Sequence, residues 1–171
     1  MSTDEHDAPL ALVGLGANLG EARATLEAAV AALRALATRP EALRCSSFWR
    51  SAPVDCPPGS PDFVNAVAAF PHDGDPQALL AALLAIEAGA GRVRSVRNAP
   101  RALDLDLLLF GDMILDTPRL QLPHPRAHLR AFVLVPAAEI VPELPWPGLD
   151  ARVADLRAAL GEVPDLRRLD R

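Results

Sequence analysis

One stretch constrains this chain more than any other. It runs from Arg92 to Gly111 and reads R-V-R-S-V-R-N-A-P-R-A-L-D-L-D-L-L-L-F-G. It opens as a loop carrying Arg92, Arg94, Arg97 and Arg101 and closes as an apolar run holding Asp104 and Asp106. Leu103 to Phe110 is expected to form a β-strand, in which alternate side chains share a face, so both carboxylates point the same way. Carboxylates that close together repel unless positive charge lies beside them. The surrounding leucines make the setting core-like, and acids are seldom placed there without a partner. A hard cation such as Mg²⁺ takes oxygen ligands of this kind, commonly together with substrate phosphates. Arginine supplies the forked donors that match phosphate. The combination points to phosphoryl transfer. The competing structural reading is a pair of solvated or arginine-paired acids, the commoner fate of an isolated D-x-D.

The rest of the chain sets the scale. Its 171 residues, half of them apolar, suffice for one buried core. The expected organisation is a flexible N-terminal tail at residues 1–9 and a single domain over residues 10–171. A balance of 17 basic against 22 acidic residues argues against a nucleic-acid coat or a polybasic membrane binder. Cys45 and Cys56 have neither metal-site spacing nor disulfide-scaffold density, so reduced thiols are expected. The start, M-S-T-D-E-H-D-A, lacks the layout of a signal peptide, and no apolar run reaches membrane-spanning length. The expectation is a cytoplasmic monomer with no nucleic-acid or membrane partner.

Along the chain, Leu10 to Leu15 reads as a first strand, Gly16 to Gly20 as a turn, and Glu21 to about Leu36 as a helix. Leu43 to Arg50 is the expected second strand. The four prolines of S-A-P-V-D-C-P-P-G-S-P-D then enforce an irregular loop. Phe63 to Phe70 is the third strand, and Pro76 fits the first position of a helix reaching about Ala90. After the fourth strand and a short Met113–Leu115 extension comes the proline-framed L-P-H-P-R-A-H-L-R-A-F-V-L-V-P. A closing helix is expected over Ala151 to Leu160. Strand, helix, strand, strand, helix, strand fits an α+β, ferredoxin-like sandwich: an antiparallel sheet with helices packed on it.

Several pieces then fall into one register: G-L-G-A-N-L-G, S-S-F-W-R-S-A-P-V, D-F-V-N-A-V, G-R-V-R, R-N-A-P-R-A-L-D-L-D-L-L and L-P-H-P-R-A-H-L-R-A-F-V-L. Together they resemble the 6-hydroxymethyl-7,8-dihydropterin pyrophosphokinase family of the folate pathway, over about Leu10 to Leu160. The resemblance implies transfer of pyrophosphate from ATP to the pterin hydroxymethyl group, release of AMP, and two Mg²⁺ ions. It implies that Asp104 and Asp106 are metal ligands and that Arg92 and Arg101 engage ATP phosphates, all four being catalytic. Glu87, Arg94, Leu107, Arg119, His124 and Arg130 fall at further ATP-side positions. Ser51, Val54, Phe63, Asn65 and Phe132 match the pterin pocket, with Asn65 offering an amide to the pterin edge and Phe132 a stacking face. Asn98, Pro125 and Leu84 depart from the family pattern, which bears on lid closure and affinity rather than on the reaction.

Two rival classes stand beside this one. Another Mg²⁺-dependent nucleotide transferase or phosphohydrolase with a different acceptor would share the D-x-D pair. A non-enzymatic ferredoxin-like binding module would need exposed aromatics and basic surface to hold RNA. Aromatics are 4 % here, tyrosine is absent and the net charge is −5, which disfavours that module.

Overall fold

The computed structural model describes residues 7–18, 21–53, 56–90 and 102–170. Residues 1–6 of the expected tail lie outside the described residues, as do Val54 and the arginine loop with Arg92, Arg94, Arg97, Asn98 and Arg101.

Alternation of small and branched residues makes Leu10–Ala17 the first strand, β1. It is flanked by β4 (Phe63–Pro71) and β5 (Asp104–Phe110), both antiparallel to it. The segments β2 (Arg44–Cys45) and β3 (Trp49–Ser51) both pair with β4, and β8 (Leu166–Arg168) pairs with β3. The path across the sheet is therefore β5-β1-β4-β3-β8, with β5 at the edge. With β2 and β3 read as two pieces of one strand, this is the ferredoxin-like order.

Helices α1 (Ala22–Leu36) and α2 (Pro76–Gly89) cover one face. Leu26, Leu33, Leu79 and Leu83 pack there against Val13, Leu15, Phe70 and Leu105, all buried. Helices α3 (Ala131–Ile140) and α4 (Val153–Ala159) cover half of the other face. There Leu134, Trp146 and Val153 enclose Leu12, Val67, Ala69 and Leu109. The two buried clusters remove enough apolar surface from water to fix which way each strand faces. The uncovered half of the second face, toward the end of β1, is where the cavities described below open.

Four sequence expectations need correction. The second strand is interrupted: Ser46 leaves the ladder geometry, yet its backbone N–H still donates to Val67 O (2.9 Å) and its Oγ accepts from Val67 N (3.0 Å). Gly16 and Ala17 continue β1 instead of starting a turn. The Met113–Leu115 extension is a small hairpin, β6 (Leu115–Asp116) with β7 (Gln121–Leu122). Helix α3 begins inside the proline-framed segment and runs through Pro136, and the closing helix is the shorter α4. Among the described residues no helix is long and apolar enough to cross a membrane.

Candidate active site

The carboxylate pair sits on the uncovered face because Asp104 and Asp106 alternate with buried leucines along β5. Asp106 pairs with Gly14 and Asp104 with Gly16, while the register slips between Leu12 and Val13. The extra residue on β5 is a β-bulge, and it lets Leu108 and Leu109 both join the α3 cluster. Ahead of the bulge, Leu105 and Leu107 enter the α1–α2 core, so Asp104 and Asp106 must face the opposite way.

Glycine is what keeps the ground beside them open. Gly16 lies between Asp104 on one neighbouring strand and Asn65 on the other. A Cβ on Gly16 would stand 3.4 Å from Asn65 Oδ1, and one on Gly14 3.5 Å from Leu108 Cδ1. The floor between the acids and the amide thus carries no side chain. Two strand spacings of roughly 4.8 Å each separate those groups, a width suited to a flat ring. Asn65 is nearly buried, and its amide donates to Ser51 Oγ on β3 at 2.8 Å, which fixes its orientation.

Two cavities meet at this pair. One, of about 840 Å³, lies over the glycine floor and is lined by Ser51, Phe63, Asn65 and Phe132, with Arg126, Leu129 and the segment Glu162 to Leu166 around its rim. The other, of about 880 Å³, opens off the outer edge of β5, between α2 and the β6–β7 hairpin. Glu87, Leu107, Arg119 and His124 line it. Asp104, Asp106 and Arg130 belong to both. Arg130 also places its guanidinium 5.5 Å from the centre of the Phe132 ring.

Glu87 is 2 % exposed and reaches the edge strand, where its Oε1 accepts the Leu105 N–H at 3.1 Å. His124 is anchored by its own N–H, which donates to Leu108 O at 2.9 Å. Its Nδ1 accepts the Arg126 N–H at 3.2 Å, so in the neutral ring the proton sits on Nε2. Burial, and then the Arg130 and Arg126 guanidiniums, lower its pKa; Asp104 opposes them weakly. The ring is therefore a neutral donor at physiological pH. Cys45 lies away from both cavities, and burial pushes its thiol up to about 11.

Of the site residues expected from the sequence, all those within the described residues line one cavity or both. Sequence reasoning missed Gly14 and Gly16 as a floor, Leu129 and Arg126 at the rim, Cys56 in the lining, and the C-terminal segment. Alternate glycines in G-L-G could have signalled the floor; nothing in E-V-P-D-L marks that segment as part of a site.

The donor chemistry fits a hard divalent cation. Two carboxylates at i and i+2 present oxygen ligands on one face, next to a cleft lined by basic side chains. Among the described residues no group of three or more His, Cys, Asp or Glu could hold a metal ion. Mg²⁺ takes one or two carboxylates and leaves its other positions to phosphate oxygens and water.

Comparison with known proteins identifies relatives of the whole fold. The family model described as 7,8-dihydro-6-hydroxymethylpterin-pyrophosphokinase (HPPK) matches residues 12–142. A 2-amino-4-hydroxy-6-hydroxymethyldihydropteridine pyrophosphokinase of Pseudomonas aeruginosa is 48 % identical over 137 residues, 79 % of this chain and 82 % of that one. The Synechocystis protein of the same name is 45 % identical over 133 residues, 78 % of this chain and 67 % of that one. Among solved structures, Plasmodium falciparum HPPK-DHPS superposes with a TM-score of 0.70 at 13 % identity, a likeness of fold. The match covers 89 % of this chain and 44 % of the Plasmodium chain, so the present chain spans under half of the longer protein. By the family model and these identities, the chain belongs to the 7,8-dihydro-6-hydroxymethylpterin-pyrophosphokinase family.

Proposed function

We infer that the chain transfers pyrophosphate from ATP to the hydroxymethyl group of 6-hydroxymethyl-7,8-dihydropterin, giving AMP and the pterin diphosphate, a step of folate biosynthesis. Family membership and the names of the relatives support the reaction. The observation that carries the site assignment is the meeting of two cavities at Asp104, Asp106 and Arg130. A bisubstrate transfer needs two pockets whose contents touch at one point, and the charged groups belong at that point.

The cavity with Glu87, Leu107, Arg119 and His124 is assigned to ATP, and the cavity over the glycine floor to the pterin. In this arrangement Asn65 meets the amide-like edge of the ring and Phe132 or Phe63 its face. The hydroxymethyl oxygen then lies toward Asp104 and Asp106. It attacks the β-phosphorus of ATP; the bond from that phosphorus to the oxygen shared with the α-phosphate breaks, and AMP leaves with it. The hydroxyl proton passes to solvent. Asp104 and Asp106 would hold Mg²⁺, two ions in this reading. When bound, the metal supplies Lewis acidity and neutralises phosphate charge.

The chain's own residues do the positioning that phosphoryl transfer chiefly demands. Arg130, at the junction, offers a bidentate fork to the phosphate being transferred. The His124 Nε2–H gives a neutral hydrogen bond that adds no charge to the site. Arg92, Arg94 and Arg101, outside the described residues, are proposed to neutralise charge on the leaving AMP. Residues 10–171 are proposed to act as one pyrophosphokinase domain.

The test is AMP release from ATP and Mg²⁺, with and without the pterin. AMP and pyrophosphorylated pterin formed only together would support the reading. ATP turnover indifferent to the pterin would move the acceptor elsewhere and favour a different Mg²⁺-dependent transferase or phosphohydrolase.

A further inference from the structure

The face that carries the carboxylates ends on a strand beyond the family match. Matched residues stop at 142, whereas β8 occupies Leu166–Arg168 at the far side of the sheet. Its register sets Leu166 opposite Ser51, and Ser51 is opposite Phe63 on β4. Directly opposed residues of antiparallel strands share a face. Leu166, Ser51 and Phe63 therefore form one row on the cavity side, next to the position of Asn65.

The segment is tied on both sides of that row. Leu166 N donates to Val163 O at 3.1 Å, closing a turn around Pro164, and Leu169 N donates to Phe48 O at 2.8 Å. The Arg23 guanidinium bonds the Asp170 carbonyl and lies 5.7 Å from the Phe48 ring centre, which joins α1 to the strand end. Held this way, Glu162 to Leu166 lines the cavity opposite the carboxylates, with Val163 and Leu166 half-buried.

We propose that Val163 and Leu166 form the far wall of the acceptor cavity and act as specificity-determining residues for the pterin. The proposal rests on the assignment of that cavity to the acceptor. Aliphatic side chains give a planar ring dispersion contact without competing for its hydrogen bonds. A wall on the side remote from Asp104 and Asp106 limits how far the ring can slide away from them. It also braces Ser51, whose hydroxyl orients the Asn65 amide. The wall thus acts on acceptor affinity and on the distance of the hydroxymethyl group from the phosphate chain, and not on ATP.

The experiment uses the full chain with Leu166→Ala, Val163→Ala, Leu166→Met and Asn65→Ala. Fluorescence titration with oxidised 6-hydroxymethylpterin reads the acceptor site, and a non-hydrolysable ATP analogue reads the other. Leu166→Ala is expected to weaken pterin binding about five- to tenfold, from lost apolar contact, and to leave the nucleotide within about twofold. Leu166→Met, of similar volume, should restore it. Val163→Ala gives the same reading should Leu166→Ala fold poorly. Unchanged pterin binding in both wall variants, with a loss in Asn65→Ala, overturns the wall and leaves the acceptor cavity standing. Unchanged binding in all three overturns the cavity assignment and the wall with it. Parallel losses of both ligands would mark a general fold defect and also overturn the proposal.

Discussion

The Glu87 carboxylate accepts the backbone N–H of Leu105 at 3.1 Å, between the two aspartates of the edge strand. A buried acid on α2 is thereby holding the very segment of β5 whose spacing matters. An edge strand has a row of N–H groups without a strand partner, and Glu87 takes one of them. Glu87→Ala would leave that buried N–H without this acceptor, at about 1–3 kcal/mol. For a chain of this size the melting temperature should fall by roughly 2–4 °C per kcal/mol. Glu87→Gln keeps an acceptor oxygen and should recover most of the loss. Thermal melts of the three proteins decide it: equal stability for wild type and Glu87→Ala would show that the bond contributes nothing.

Asp104 and Asp106 should behave oppositely. They are half-buried on the open face, and an asparagine of nearly the same volume opens no cavity there. Asp104→Asn and Asp106→Asn are each expected to lower turnover by about a thousandfold or more and to leave the melting temperature nearly unchanged. Chelation should abolish AMP release, and added Mg²⁺ should restore it. Activity near wild type in either variant would sink the metal-ligand assignment.

Much of this site could be read from the sequence because it is written in short-range patterns. D-L-D on an apolar strand needs only a period of two to place both acids on one face. The α1 helix announces itself by alanine and leucine at helical spacing. The unread parts depend on tertiary packing. The stretch A-F-V-L-V-P-A-A-E-I has no polar stripe, because Val133, Leu134, Val135, Pro136 and Ala137 are all buried, so the signal of an amphipathic helix is missing. Pro136 further argues against a helix by local rules. β8 reads L-R-R and is an edge strand with much of its surface in solvent, so no apolar alternation marks it. The β1–β5 bulge is a property of two strands together, and neither strand alone encodes it.

The histidine predicts a pH dependence with a definite sign. His124 has its pKa lowered from the ordinary 6.5, so at acidic pH the unfolded chain binds a proton before the folded one does. Stability then rises with pH across that window. The ring costs nothing above the ordinary histidine value. Its penalty grows as pH falls below that value and levels off beneath the lowered native one. His124→Gln should remove this component, so the stability difference between variant and wild type should shift in favour of the variant between about pH 7 and pH 5. Melts across that range test it, and parallel curves would mean that burial of the ring has no energetic consequence. Turnover at neutral pH should drop in the same variant, since the Nε2–H donor is displaced.

A single methyl at residue 16 separates binding from folding. Gly16 lies between Asp104 and Asn65, and a methyl there would sit 3.4 Å from Asn65 Oδ1, an ordinary contact. It is in a strand interior, where alanine is favoured over glycine by roughly 0.5–1 kcal/mol through the entropy of the unfolded chain. Gly16→Ala should therefore fold as well as wild type or slightly better. Yet the methyl projects from the floor on which a flat acceptor would lie, between the amide that orients it and the acids it must reach. The expected result is an unchanged or raised melting temperature, a KM for ATP near wild type, and a KM for the pterin raised at least about tenfold. Gly16→Val, with more volume above the same floor, should deepen the acceptor defect. A pterin KM unaffected by both substitutions would place the acceptor off the glycine floor. A fall in stability without a change in either KM would make Gly16 a packing residue and nothing more.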